Sequence, residues 1–232
     1  RSGRSQARER TGVSTRGRLR SGLAQCAPSQ HLPCRYDRRV HLHLLDGTYE
    51  LFRNYFGAPK RRHGEVEVGA VQGLMASTLS LLQDGGVTHL GAAFDTVIRS
   101  FRNDLFPGYK TDAGVPADLL AQFPIAEDGL EAIGVVVWRM TTYEADDALA
   151  TAAAHALGAM ALPEASAALT AAKPSDAMKA TVADATLACA EKLLAAGNKA
   201  AALKAYQSLL AASPSEPIRE AAARGAQACG GA

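Results

Sequence analysis

The chain has 232 residues, enough for one large domain or two small ones, and its apolar content of 47% is enough for a packed core. Its net charge of +2 is uneven, because residues 1–40 hold ten Arg, no Lys and two acids, which leaves −6 for the rest. The sequence contains no run of 18 or more apolar residues, so no membrane-spanning helix is predicted. The four cysteines are scattered, which argues against structural zinc or a disulfide framework and favours a cytoplasmic protein.

The basic N-terminal segment, residues 1–38, is rich in Arg, Ser, Gly and Gln and has almost no large apolar side chains. Such a segment cannot bury enough surface to offset its ordering entropy, so it is predicted to be disordered. Its role stays open between an organellar transit peptide, a nucleic-acid-binding arm, and an artefact or passive tail. The first residue is Arg rather than Met, which favours the last of these.

From Val40 onward the pattern alternates between strands and helices. Short apolar runs predict strands at Val40–Leu45, Val87–Phe94 and Val135–Trp138. Helices are predicted at Thr48–Phe56, Val66–Leu82 and Pro116–Ile133, and from about Ala145 onward. Ala58–Gly64 is interpreted as a basic loop, and Arg99–Gly114 as a loop or mobile element. This alternation predicts an α/β fold with a parallel sheet, in which ligands bind beyond the carboxyl ends of the strands.

Acidic residues follow each predicted strand: Asp46, then Asp95, then the cluster Glu144, Asp146 and Asp147. Each group alone is explained by a turn or a helix cap. Together, carboxylates at one sheet edge repel one another unless a divalent cation binds among them. We therefore predict a metal site, and the chemistry it suggests is phosphodiester hydrolysis.

The spacing of that cluster sets a geometric condition. A helix turns by about 100° per residue, so Glu144 and Asp146 would point to different sides of a continuous helix. All three acids converge only if Glu144 lies in the preceding loop, so the helix is predicted to start at about Ala145.

Basic and aromatic residues between Arg99 and Lys110 suit a polyanionic ligand. Arg102 and Lys110 could contact a scissile phosphate, and Tyr109 or Phe101 could stack on a base. A solvated loop with aromatic anchors explains the same residues. Arg53 could contact a DNA backbone, as could the later residues Lys60, Arg61 and Arg62, although a solvated charge run is the simpler interpretation. His41, His43 and His89 are interpreted as core or strand-edge residues rather than metal ligands, and Trp138 is interpreted as a core residue.

After about His155 the sequence becomes alanine-rich and helical throughout. Amphipathic helices are predicted at Asp184–Ala196, Lys199–Ala212 and Pro217–Gln227. Paired helices of this kind are typical of solenoid repeats, and Ala190–Tyr206 resembles a tetratricopeptide or HEAT helix pair. The predicted organisation is a tail at 1–38, an α/β domain at 39–157 and a helical-repeat segment at 158–232.

The motifs of residues 40–155, taken in order, resemble a known family. Leu44-Leu45-Asp46-Gly47, Phe94-Asp95, Ser100 to Lys110 and Tyr143-Glu144-Ala145-Asp146-Asp147 are similar to the bacterial 5′–3′ exonucleases. These proteins are stand-alone relatives of the N-terminal nuclease domain of DNA polymerase I and of flap endonucleases.

The resemblance implies a sheet core related to the PIN nucleases, with a helical arch over the site. It implies two divalent ions, Mg²⁺ or Mn²⁺, at Asp46, Asp95, Glu144, Asp146 and Asp147. Arg102 and Lys110 would contact the scissile phosphate, with Tyr109 nearby, and the substrate would be DNA with 5′ ends or flaps. Such an enzyme serves DNA replication and repair.

Two departures from the family pattern affect the expected activity. Many relatives have an arginine shortly after the tyrosine–lysine pair, where this chain has Thr111 to Val115. Relatives also continue into a strand ending in an Asp-x-Asp pair and a DNA-binding helical hairpin, and neither appears after His155. We therefore expect a truncated nuclease half joined to an unrelated tail at about Ala156–Met160, by natural fusion or by a mis-assembled gene, with weak or no activity.

Two rival hypotheses belong to other functional classes. In one, the helical repeat is a non-enzymatic module that binds a protein partner. In the other, the chain is a passive DNA binder, which predicts a steep loss of affinity with salt.

Overall fold

The computed structural model describes residues 40–84, 86–111, 113–212 and 215–230. The prediction for residues 1–38 lies outside these ranges. Within them, the main sheet has three parallel strands in the order β1-β4-β5. The strands are β1 (Leu42–Asp46), β4 (His89–Phe94) and β5 (Val136–Arg139), and a small antiparallel hairpin is formed by β2 (Arg62–His63) and β3 (Val66–Glu67).

Helices follow the strands along the chain. The helices of the first part are α1 (Gly47–Gly57), α2 (Gly69–Gln83), α3 (Arg102–Leu105), α4 (Ala117–Leu120), α5 (Gln122–Ala132) and α6 (Ala145–Met160). The second part contains α7 (Pro163–Ala171), a 3-10 turn (Asp176–Met178), α8 (Lys179–Ala195), α9 (Lys199–Ala211) and α10 (Glu216–Gly230). No helix within the described ranges is long and apolar enough to cross a membrane.

Alternate residues of β4 lie on opposite faces of the sheet, because successive side chains of a strand point in opposite directions. Leu90, Ala92 and Phe94 join the hydrophobic core that α1, α2 and α5 cover. Gly91 faces the other way, and a Cβ there would lie 2.6 Å from the Trp138 ring. Helix α6 packs against β1 and β4, so the sheet is covered by helices as the alternating pattern predicted.

A second hydrophobic core is built by the C-terminal helices. It contains Leu169, Leu193, Tyr206 and Leu209, and it also includes Ala154 of α6. Helices α6 and α8 cross closely, since a Cβ on Gly158 would lie 2.8 Å from the carbonyl oxygen of Ala185. The helix α6 is therefore continuous through residues 156–160, where the sequence changes character, and its last turns pack on the following helices.

The strand predictions and the start of α6 at Ala145 are confirmed, while four helix or loop predictions were wrong in detail. Ala58–Gly64 contains β2, and Val66–Glu67 is strand β3 rather than the start of a helix, because the two short strands pair with each other. Pro116–Ile133 forms two helices that meet at Ala121. The basic segment contains the short helix α3. Trp138 is half-buried at the wall of a cavity rather than in the core.

Helices α9 and α10 begin within one residue of the predicted positions, whereas α8 begins at Lys179, five residues before the predicted Asp184. The turn between α8 and α9 uses Gly197 at a φ of +82°, and the Asn198 side chain caps α9 by accepting from the Ala201 N–H. Repeat type and the boundary at residue 157 stay predictions.

Candidate active site

The carboxyl ends of the three parallel strands meet at one edge of the sheet. Asp46 is the last residue of β1 and Asp95 follows β4 directly. Glu144 follows β5 after a short loop and caps α6. A cavity of about 450 Å³ at this edge is lined by four acids and one lysine: Asp46, Asp95, Glu144, Asp146 and Lys110. Acids separated by up to 100 residues in sequence are thus brought around one space.

Asp46 is held in place by the first turn of α1. Its Oδ1 accepts a hydrogen bond of 2.8 Å from the Tyr49 N–H. Gly47 leaves no room for a side chain, because a Cβ there would lie 2.3 Å from the Phe94 ring. Burial raises the pKa of Asp46, and the nearby Asp146 and Asp95 carboxylates raise it further, against the opposing Tyr49 N–H and Lys110. The carboxylate therefore lies where negative charge is already concentrated.

Asp95 is 5% exposed and connects three parts of the site. One carboxylate oxygen accepts a 2.7 Å hydrogen bond from the first amide of α6, at Ala145. The other accepts from the Lys110 ammonium, also at 2.7 Å. The Asp95 N–H donates to the Thr48 hydroxyl at 2.7 Å. These bonds fix the end of β4 against α1, α6 and the basic segment.

The acids at the start of α6 take different directions. Glu144 is 7% exposed and forms a capping box with Asp147, whose carboxylate accepts from the Glu144 N–H at 3.1 Å. Asp146 is exposed and faces the acid cavity. Asp147 does not line that cavity, because the capping box turns its side chain toward Arg102. The structure thus brings four of the five predicted acids around one cavity and sets the fifth beside it.

The two basic residues expected to contact phosphate are ion-paired with the acids. Arg102 makes a two-pronged contact with Asp147, at 3.0 and 2.9 Å, and lies 3.2 Å from Glu144. This raises the pKa of Arg102. Burial acts against the charged form of Asp147, but the hydrogen bond from Arg102 outweighs it and lowers the pKa of Asp147. Burial also acts against the charged form of Lys110, but the hydrogen bond to Asp95 outweighs it and raises the pKa of Lys110.

The remaining predicted DNA contacts lie on the surface. Tyr109 is 50% exposed, and its phenol is close enough to Arg102 and Lys110 to interact electrostatically with both. Arg53 is exposed on α1, where it pairs with Glu50, and it does not line the acid cavity.

In the part of the chain that the structure describes, no three His, Cys, Asp or Glu side chains are grouped so as to hold a metal ion as they stand. Two of these acids bind other side chains: Asp95 accepts from Lys110, and Glu144 contacts Arg102 and Ser100. The donor chemistry nevertheless suits a hard divalent cation, because every acid at the cavity offers carboxylate oxygens.

Residues 41–163, just over half of the chain, match the family model described as "5′-3′ exonuclease, N-terminal resolvase-like domain". The chain belongs to this 5′–3′ exonuclease family. Membership establishes a resolvase-like, PIN-type domain with a parallel sheet and supports a nuclease function in general.

Relatives of this 5′–3′ exonuclease domain include longer proteins. The chain is 34% identical over 127 residues to DNA polymerase I of Mycobacterium leprae, covering 53% of this chain and 14% of that protein. It is 35% identical over 119 residues to DNA polymerase I of Mycobacterium tuberculosis, covering 50% and 13%. It is 30% identical over 116 residues to the 5′–3′ exonuclease of Bacillus subtilis, covering 47% and 39%. No solved structure matches.

Three polar residues of the candidate site have no role predicted from the sequence. Ser100 is 8% exposed and its hydroxyl donates to Glu144 at 2.6 Å. Asn103 accepts from the Ser100 N–H and donates to the Lys110 carbonyl at 2.6 Å, so it holds both ends of the basic segment. Thr48 anchors Asp95. Their only sequence signal is proximity to Asp46, Arg102 and Lys110.

A buried carboxylate, paired with a partly exposed arginine, supports the residue that follows Asp95. Glu127 is 2% exposed and accepts from the Thr96 hydroxyl at 2.6 Å and from Arg139 at 2.9 Å. This pair connects α5, the end of β5 and the residue that follows Asp95. A buried carboxylate is tolerated here because both of its oxygens are hydrogen-bonded.

Proposed function

We propose that this chain is a 5′–3′ exonuclease that hydrolyses DNA phosphodiester bonds at 5′ ends or flap junctions. The observation that carries the proposal is the cavity at the sheet edge, where four carboxylates from three strand ends and one lysine line the same space. Family membership supports the reaction class, and the named relatives support DNA as the substrate.

Asp46, Asp95, Glu144 and Asp146 would hold Mg²⁺ or Mn²⁺, and Asp147 would contribute from beside the cavity. When bound, such a cation supplies an activated water and stabilises charge on the leaving oxygen. Burial raises the pKa of Asp46 most, and the Asp146 and Asp95 carboxylates add to it; a cation bound among these carboxylates would offset their mutual repulsion.

Arg102 and Lys110 would bind and orient the phosphate. Both are cationic, both belong to one segment that Asn103 holds together, and both already lie against the acids. Fixed charges directed at the phosphate lower the barrier because they need no rearrangement during the reaction. Tyr109 would stack on a nearby base, and Arg53 would contact the DNA backbone further away.

We further propose that the chain alone cleaves slowly. Three of its five candidate acids are engaged by Lys110 or Arg102, and a divalent cation must displace these contacts to bind. The sequence after His155 has no Asp-x-Asp pair that could add ligands for a second ion.

The test is cleavage of a labelled 5′-flap DNA with Mg²⁺ or Mn²⁺ by the wild type, Asp46→Asn and Asp95→Asn. Asp184→Asn, an exposed carboxylate on α8, is the matched control. We expect slow cleavage that both site variants abolish and the control retains. Cleavage that persists with EDTA, or that ignores both site substitutions, contradicts the assignment. Rapid cleavage lost in both variants supports the site and refutes the slow rate.

The two rival functions stay predictions. The apolar residues of α8, α9 and α10 pack mainly against one another and α6, and no contact in the described residues favours a protein partner for this segment. Passive DNA binding would retain full affinity when Asp46 and Asp95 are substituted, which the same set of variants measures.

A further inference from the structure

A second cavity lies beside the acid site, on the face of the sheet that α6 covers. Its volume is about 640 Å³, within the range of small-ligand pockets. Trp138, Met140 and Tyr143 form one wall at the end of β5, and Thr151 and His155 of α6 form another. No step of the proposed reaction uses this cavity.

The wall chemistry indicates a flat, ring-shaped ligand. Three of the lining side chains carry rings, namely Trp138, Tyr143 and His155, and most of the remaining wall is apolar. The polar residues of the lining include Thr151, Thr181 and Asp147, beside the polar atoms of Tyr143 and His155. A ligand with aromatic faces and a polar edge matches this combination.

The cavity is linked to the residues of the acid site by contacts of Asp147 and Tyr143 with the basic segment. Asp147 lines the cavity, and the same carboxylate binds Arg102 through both oxygens. The Tyr143 ring contacts Phe101 at a centroid distance of 5.3 Å, and the Arg102 guanidinium lies 4.8 Å from the Phe101 ring centre. The cation that would hold phosphate is therefore joined to the cavity by two aromatic rings in contact, tilted by 58° to each other.

We propose that this cavity binds one unpaired nucleobase of the DNA strand whose phosphate Arg102 contacts. The inference rests on the proposed function and adds a subsite to it. Base and phosphate are adjacent parts of one nucleotide, and their binding groups are adjacent here. Stacking on aromatic side chains accepts any base, because every base has a π-face. The cavity therefore contributes affinity for a strand that is already single-stranded, such as a flap.

The C-terminal helices gain a role from this assignment. Ala177, Met178 and Thr181, from the 3-10 turn and α8, close the side of the cavity that β5 and α6 leave open. Met178 is 9% exposed, and its sulfur lies 3.6 Å from the Thr151 hydroxyl. The segment after α6 is thus part of the proposed nucleotide site.

Trp138 is the only tryptophan of the chain and lines this cavity, so in the folded protein its fluorescence reports on a ligand bound there. The probe is a short 5′-flap DNA in EDTA, which prevents cleavage, compared with the same DNA carrying abasic sites throughout the flap. We expect the intact flap to quench Trp138 and to bind about 5- to 100-fold more tightly than the abasic flap, the range for one stacked base.

Ala152→Met fills the cavity from α6, and Ala150→Met places the same side chain on the exposed side of that helix as the matched control. The first variant should lose the preference for the intact flap, and the control should keep it, with both folded by circular dichroism. Equal affinity for intact and abasic flaps, or an unchanged preference in a folded Ala152→Met, overturns the proposal.

These outcomes are separate from those of the cleavage test. Cleavage that depends on Asp46, combined with equal binding of both flaps, would leave the nuclease and remove the base subsite. Quenching that depends on the bases, without cleavage that depends on Asp46, would support the base subsite and contradict the nuclease assignment.

Discussion

Substitution of Gly158 by leucine tests whether α6 is packed against the helices that follow it. On an isolated helix the change would be stabilising by up to about 1 kcal/mol, because glycine is a poor helix former. In the structure, a Cβ at this position lies 2.8 Å from the Ala185 carbonyl oxygen and 3.1 Å from its Cα. Both neighbours are backbone atoms of α8, which cannot rotate away as a flexible side chain would.

The two helices must therefore separate, so the substitution destabilises the protein instead of stabilising it. A normal contact requires roughly 0.6 Å more space, and the remaining leucine carbons need more. Overpacking of this kind costs typically 1–3 kcal/mol, and leucine belongs at the upper end. After the gain in helix propensity is subtracted, we expect the free energy of unfolding to fall by about 2 kcal/mol.

The assay is urea denaturation followed by Trp138 fluorescence and by circular dichroism. Gly57→Leu is the matched control, because Gly57 ends α1 and a Cβ there has nothing within 4 Å. Its unfolding free energy should change by no more than about 0.5 kcal/mol. If Gly158→Leu is as stable as the wild type, or more stable, α6 and α8 do not pack as described and the cavity wall at Met178 is lost with them.

Three further predictions concern the site and its surroundings. Lys110→Met should bind Mn²⁺ at least about fivefold more tightly than the wild type by calorimetry, because two unit charges about 4 Å apart in water interact by about 1 kcal/mol. Lys60→Met is the control. An unchanged Mn²⁺ affinity in Lys110→Met would exclude Lys110 as a competitor of the cation. Ser100→Ala should lower the free energy of unfolding by about 1–3 kcal/mol, since it removes a buried hydrogen bond to Glu144. Ser77→Ala, at an exposed position of α2, should change it by less than about 0.5 kcal/mol. Tyr55→Phe removes the hydroxyl that lowers the pKa of Asp118. The stabilisation lost in this variant should therefore be full above the ordinary Asp pKa and vanish as the pH falls through the lowered value. Urea denaturation at several pH values, with Tyr49→Phe as the control, should show the difference in unfolding free energy between Tyr55→Phe and the wild type shrinking in acid. A difference that grows in acid would contradict the prediction.

The order of elements was readable from local signals. Val87–Phe94 is a short, largely apolar run between Gly85-Gly86 and Asp95, and Pro116 and Gly134 bound the helical region before β5. The start of α6 followed from a rotation argument, which required Glu144 to lie outside the helix. These features depend on residues close together in sequence, so composition and spacing determine them. The hairpin at Arg62–Glu67 was missed because two-residue strands have no periodicity to detect.

The sequence alone determined which acids follow strand ends, and hence that Asp46, Asp95 and the Glu144 group would lie at one sheet edge. Only the tertiary structure decided how each acid is oriented: Asp146 toward the cavity, Asp147 toward Arg102, and Asp95 toward Lys110. It also decided that Trp138 and Met178, 40 residues apart, line one cavity. The physical reason is that strand ends are set by local propensity, whereas side-chain direction depends on hydrogen bonds and packing with residues distant in the chain.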